Sequence, residues 1–199
     1  MYREFDEASI KWAANVAQVR EVTLLGVADL AFWEQRLSNQ KLRPMERNGR
    51  AQLMIIAAEA KFMGVRFREL SFSVQVVAPN DSRSPHGVFL MRAFNTNRLF
   101  AFCERMLFST PYETADVSVN VSSPVKIQLR QHGMLNFRAQ MGVAGDGSER
   151  TPTRTGKDGW EGPVYLPDGG RNSCPAGNLF FARLHGYTKS FEFDTAKMP

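Results

Sequence analysis

Cysteine is scarce: Cys103 and Cys174 are the two in 199 residues. That number allows one disulfide and excludes a disulfide framework, and the pair is expected as free thiols. Long apolar runs are missing as well. No stretch approaches the length of a membrane span, and the opening MYREFDEASIKWAANVAQVR lacks the apolar core of a secretory signal. The expectation is a soluble cytoplasmic protein with no membrane partner. On that expectation the sequon Asn120-Val121-Ser122 stays unmodified.

Charge of one sign is not concentrated either. The formal net charge is +5, but basic residues are scattered and acidic ones lie among them. A solvated surface accounts for this, and no nucleic-acid footprint is read from it. Metal-ligand spacing is absent: His86, His132 and His185 stand far apart, with no Cys-x-x-Cys and no His-Glu-x-x-His. No Gly-x-Ser-x-Gly elbow occurs, and Gly145-Asp146-Gly147 is followed by no helix pattern. Neither a metal nor a cofactor is expected.

What is present is a core-forming composition, 43% hydrophobic and 11% aromatic, which suits one globular domain over 1–199 with a loose lead over 1–10. Residues 5–25 carry both helical and strand spacing, and a lead followed by a strand is preferred. Asp29 to Ser38 reads as a helix with Leu30, Trp33 and Leu37 on one face. Arg50 to Ala60 is rich in alanine and helical by propensity alone. From Phe67 to Val76 the period changes to two. Arg68, Leu70, Phe72, Val74 and Val76 share one parity, while Phe67, Glu69, Ser71, Ser73 and Gln75 share the other.

Gly87 to Asp116 holds a strand through Phe94, a cap at Asn95-Thr96-Asn97, an amphipathic helix and a Pro-Tyr exit. Beyond it come a strand pair over Ala115 to Arg130 broken near Ser122-Ser123-Pro124, then a turn at His132-Gly133 and a strand from Met134 to Met141. Residues 144–159 read as a long polar loop. Strands follow near Trp160 to Leu166 and from Phe180 to Phe193. The sum is a β-dominated α+β domain, a barrel or a sandwich. On the inner wall of a barrel Glu69 would be desolvated and its pKa raised toward acid–base use. The plainer reading puts Glu69 outside, beside Arg66 or Arg68.

Three segments in succession resemble the acetoacetate decarboxylase-like superfamily. They are Phe67-Arg68-Glu69-Leu70-Ser71-Phe72-Ser73-Val74, then Gly87 to Asn95, then Glu104-Arg105-Met106-Leu107-Phe108-Ser109-Thr110-Pro111-Tyr112-Glu113. The resemblance implies a barrel or cone of antiparallel strands with a few helices, an internal small-molecule cavity and a homo-oligomer. It sets Glu69 at the family's glutamate and Arg105 at the arginine of Gly-Arg-Glu. Glu59 stands more loosely at a second acidic position. The family's lysines after the proline are here Tyr112 and Glu113. A phenol cannot form the iminium that serves as electron sink in β-keto acid decarboxylation.

These residues imply a protein that binds a small organic acid or carbonyl ligand without lysine Schiff-base chemistry. Glu69 and Tyr112 are the candidate catalytic pair, and Arg105, Glu59 and Glu113 the candidate ligand contacts. The alternative is a lyase of decarboxylase or aldolase type using a relocated lysine, Lys61 or Lys126. A purely structural oligomer component is the third reading.

Overall fold

A computed structural model describes residues 16–40, 42–77, 87–141, 154–156, 161–167, 179–183 and 187–194. His86, His185, Cys174, Gly145-Asp146-Gly147 and most of the 144–159 tract lie outside the described residues.

The ten-residue alternation is the middle of β5 (Val65–Val77), a strand at the centre of the larger sheet. Its hairpin partner is β4 (Arg50–Phe62), joined through Met63 and Gly64, which both take positive φ. The twist of such a turn matches that of the strands it joins, which lets the hairpin close in two residues. The helical expectation for 50–60 is therefore corrected. Alanine propensity is weak against a ladder on both edges, where β4 pairs with β5 and with β1 (Ala17–Asp29).

Chain order continues from β1 into α1 (Leu30–Leu37), whose start is fixed by Asp29: its Oδ1 accepts the Phe32 N–H at 2.6 Å. Two short strands, β2 (Arg43–Pro44) and β3 (Glu46–Arg47), pair with β5 and β4. After β6 (Gly87–Asn95) the Asn97 side chain accepts the N–H groups of Leu99 and Phe100 and opens α2 (Arg98–Phe108). Ser109, at φ 54, turns the chain out of the helix, and β7 (Tyr112–Thr114) returns parallel to β6. A three-stranded sheet follows: β8 (Asp116–Asn120), β9 (Val125–Gln131) and β10 (Met134–Met141). Four more strands complete the large sheet. They are β11 (Arg154–Gly156), β12 (Glu161–Tyr165), β13 (Leu179–Arg183) and β14 (Tyr187–Asp194).

The large sheet runs β11-β14-β1-β4-β5-β6-β12-β13. Among the described residues its end strands do not pair, so the barrel expectation is corrected to an open sheet. Closure is not needed to bury the apolar face, because a second layer covers it. Leu24, Ile55, Leu70 and Phe94 of the large sheet pack against Val117, Ile127 and Leu129 of the small one. Trp33 and Leu37 of α1 cover the same face farther along, against Val74 and Val76.

Helix α2 packs on the opposite face through Phe100, whose ring meets Phe62 and Phe67 edge-on. The amphipathic pattern expected there is real, but Leu99, Phe102, Met106 and Leu107 remain exposed and Ala101 is the residue the helix buries. Among the described residues, no helix is long and apolar enough to cross a membrane.

Candidate functional site

Residues opposite one another in a β-ladder point to the same side of the sheet, so register decides which side chains can meet. Glu69 is opposite Ala58, and Ala58 is opposite Glu21. On the other flank Ser71 is opposite Ala93, and Ala93 is opposite Tyr112. Glu21, Glu69 and Tyr112 thus share one face, the one that the three-stranded sheet leaves uncovered. Ser71 and Ser73 join them, as the alternation along β5 requires.

The Tyr112 hydroxyl donates to the Glu69 carboxyl. Both residues are partly exposed, so the face can be reached. Tyr112 is held against Leu90, Ala93 and Leu166, and the Pro111 carbonyl accepts the Ala93 N–H at 3.1 Å, which fixes the start of β7. Helix α2 brings Glu104 over the same face, one turn beyond buried Ala101. The left-handed exit at Ser109 folds Thr110 back, so that its N–H donates to the Glu104 carbonyl at 3.4 Å.

Burial dominates the electrostatics. It raises the Glu69 pKa to about 7; the Tyr112 hydrogen bond opposes this, and the charges of Glu104 and Glu21 add to it. Tyr112 is pushed well above 10.0, first by burial and then by the neighbouring Glu69 charge. It stays a neutral donor at any ordinary pH. Glu104 is raised by burial and pulled back by the Thr110 hydroxyl. Glu21 is raised by burial and pulled back by Thr23, whose hydroxyl donates to Oε1 at 2.6 Å. A glutamate held near neutrality beside a neutral phenol is an arrangement that can take up or give a proton near neutral pH.

Two of the five residues singled out from the sequence, Glu69 and Tyr112, come together. The others lie apart. Glu59 is opposite Arg68 in the β4–β5 ladder, which puts it on the reverse face from Glu69. Its carboxylate meets Arg68 Nε at 3.4 Å and Arg66 Nη1 at 3.9 Å. Odd-number parity misleads here because β4 and β5 run antiparallel and their registers set Glu69 against even-numbered Ala58.

Glu113 follows Tyr112 and so also faces the other way, opposite Phe94. It accepts from Arg92 Nη2 at 2.6 Å and Gln131 Nε2 at 2.9 Å, and these donors lower its pKa. Arg105 is exposed on α2, and its charge acts on Glu113. Lys61 is opposite Arg66, on the Glu59 face. Lys126 alternates with buried Val125 and Ile127 and is exposed.

Sequence reasoning missed Glu21, Glu104 and Thr110. For Glu21 a signal existed: Glu21 and Thr23 form a polar parity within a Val/Leu strand, as Glu69, Ser71 and Ser73 do in β5. Glu104 carried none beyond its helical position. Among the described residues, no group of His, Cys, Asp and Glu is placed to hold a metal ion. A cavity of about 580 Å³ lies elsewhere, where Thr96 and Arg98 at the start of α2 face Asp116, Arg130 and His132. It is a polar surface cleft and includes neither Glu69 nor Tyr112.

No family model matches the sequence, and no curated protein matches it. Solved structures do match in fold. One is an acetoacetate decarboxylase from Legionella pneumophila, at 15% identity over 82% of this chain and 64% of that one, with a TM-score of 0.51. A second acetoacetate decarboxylase gives 12% identity over 71% of this chain and 66% of that one, TM-score 0.52. The third is the enduracididine biosynthesis enzyme MppR, complexed with the condensation product of pyruvate and imidazole 4-carboxaldehyde. It gives 12% identity over 75% of this chain and 63% of that one, TM-score 0.50.

The chain has the acetoacetate decarboxylase-like fold, as its strand–helix–strand succession implied. It spans just under two thirds of the length of these chains, 63 to 66%. Identity this low carries fold and no activity.

Proposed function

We propose that the chain binds a small carbonyl compound on the Glu69–Tyr112 face and transfers a proton at the carbon beside the carbonyl, without a lysine imine. One observation carries this reading: a glutamate with a pKa of about 7 receives the hydroxyl of a fixed tyrosine, on a strand face where the described side chains include no lysine. In the enolising direction the Glu69 carboxylate takes the α-proton. The C–H pair becomes the C=C bond, and the carbonyl pair moves to oxygen. Once Glu69 is protonated, the Tyr112 hydroxyl loses its anionic acceptor and turns to the enolate oxygen. Return of the proton, exchanged with solvent, closes the cycle.

The carbonyl half of the expected ligand has support in this geometry. The organic-acid half has less, because Arg105, which was to hold a carboxylate, is exposed and acts on Glu113. The relocated-lysine alternative gains nothing from Lys61 or Lys126, neither of which shares the Glu69 face.

The test is deuterium exchange into hydroxyacetone and pyruvate, followed by NMR, alongside borohydride trapping read by intact mass. Exchange above the buffer rate, falling by about 100-fold or more in Glu69→Gln, is expected. A stable borohydride adduct on a lysine would overturn the reading in favour of an imine enzyme.

A further inference from the structure

A surface helix ordinarily turns its apolar stripe toward the core. Helix α2 leaves most of that stripe outside. Leu99, Phe102 and Met106 stand at i, i+3 and i+7 on one face with Leu107 beside them, and all four are exposed while Ala101 takes the buried side. Leu107 lies seven residues beyond Phe100, and so on the side where Phe100 meets Phe62 and Phe67. There the β4–β5 hairpin adds Met63, 85% exposed at its turn, and Val65, which is opposite Phe62 and shares its face. Six of the ten exposed large apolar side chains among the described residues therefore sit on α2 and the adjoining hairpin tip.

The size of this patch bears on what covers it. At about 100 Å² of exposed side chain apiece, the six present about 600 Å², the upper end of what a monomeric protein ordinarily leaves bare. Two copies set face to face remove about 1,200 Å² from water, the size at which specific protein–protein interfaces begin. Half-buried Cys103 and the stems of exposed Arg98 and Arg105 add to that area.

The stripe is also complementary to itself. A two-fold axis passing between Phe102 and Cys103 sets Leu99 against the partner's Met106, and Phe102 against the partner's Cys103, a large side chain against a small one. Arg98 and Arg105, seven residues apart, border the stripe along one edge, where their guanidinium groups stay in water.

We infer that α2 and the tip of the β4–β5 hairpin form a two-fold interface between two copies of this chain, with their α2 helices antiparallel. This pairing stands apart from the acid–base reading above and requires no ligand.

Sedimentation velocity of the whole chain over roughly 1–100 µM tests it, a range that spans weak to stable association. A mass twice the 22.4 kDa of one chain, or an even multiple of it, is expected. Phe102→Glu and Met106→Glu put a charge into the contact and should each weaken pairing by at least about 30-fold. Leu135→Glu, at an apolar side chain exposed on β10, should leave pairing unchanged. In Cys174→Ser, a short bis-maleimide should join two chains through Cys103, as read by intact mass and peptide mapping.

A monomer throughout that range would overturn the inference, whether α2 then stays bare or is covered by another segment of this chain. An odd multiple of the chain mass would do the same. So would a dimer that both charged variants leave intact, or one that cross-links without Cys103, because either puts the contact on another face. The cross-link is read on an unaltered α2, so it decides the matter even where a charged variant fails to fold.

Discussion

The two faces of the large sheet are built from the same strands and have opposite characters. On one, Leu24, Ile55, Leu70 and Phe94 disappear under the three-stranded sheet. On the other, one residue along, Glu21, Glu69 and Tyr112 are polar, with Glu21 buried and Glu69 and Tyr112 partly exposed. The first face is held by removing apolar surface from water. The second carries carboxyls whose pKa values burial has raised, so in their charged forms they weaken the fold. Stability and chemistry are separated by a shift of one residue in parity.

The largest effect is expected on the apolar face. Ile127 is 0% exposed in the seam between the two sheets. Ile127→Ala should cost about 2–5 kcal/mol, read from chemical denaturation, and leave the pH dependence of exchange intact. A cost below about 1 kcal/mol would mean the seam is not the core.

The opposite face should respond with the opposite sign. A folded-state pKa of about 7 against an ordinary 4.5 means that Glu69 contributes stability below about pH 4.5 and loses it as pH rises through 7. Glu69→Gln removes that loss. At pH 8 the variant should be more stable than the wild type by up to about 3 kcal/mol, while the difference closes near pH 4. Exchange activity should fall at the same time. Equal stability of the two proteins across that pH range would contradict the raised pKa.

A smaller effect is expected from Tyr112→Phe, because the hydroxyl opposes the upward shift of Glu69 rather than causing it. Without it, the rising limb of the exchange pH profile should move to higher pH, measured on hydroxyacetone. Since Glu21 and Glu104 act on Glu69, that limb reports the cluster and not one group. A limb that moves to lower pH would reverse the assigned role. The smallest effect belongs to Glu113, half-exposed and paired with Arg92 at 2.6 Å. Glu113→Gln should change stability by no more than about 1 kcal/mol, and less in high salt. A larger loss would move Glu113 from the surface into the framework.

The strands at 67–76, 87–94 and 134–141 and the helix after Asn97 were legible because their signals are local: alternation, a cap, a two-residue turn. The 50–60 segment was not, since its strand state comes from neighbours on both edges. Tyr112–Thr114 is too short to show a period and becomes a strand by pairing with β6. In the candidate site, Glu69 and Tyr112 were legible from alternation and resemblance. The grouping of Glu59 with them failed for a geometric reason, the register of an antiparallel hairpin.

What the sequence determined by itself was composition and local geometry: which strands alternate, where helices begin, and that the position after Pro111 holds a phenol instead of an amine. Only the tertiary structure decided whether the sheet closes, which face each acid occupies, and that Glu21 and Glu104 act on Glu69. Alternation assigns side chains to two faces within a strand, but long-range register joins those faces across the sheet, and burial then sets the charge each carboxyl can hold.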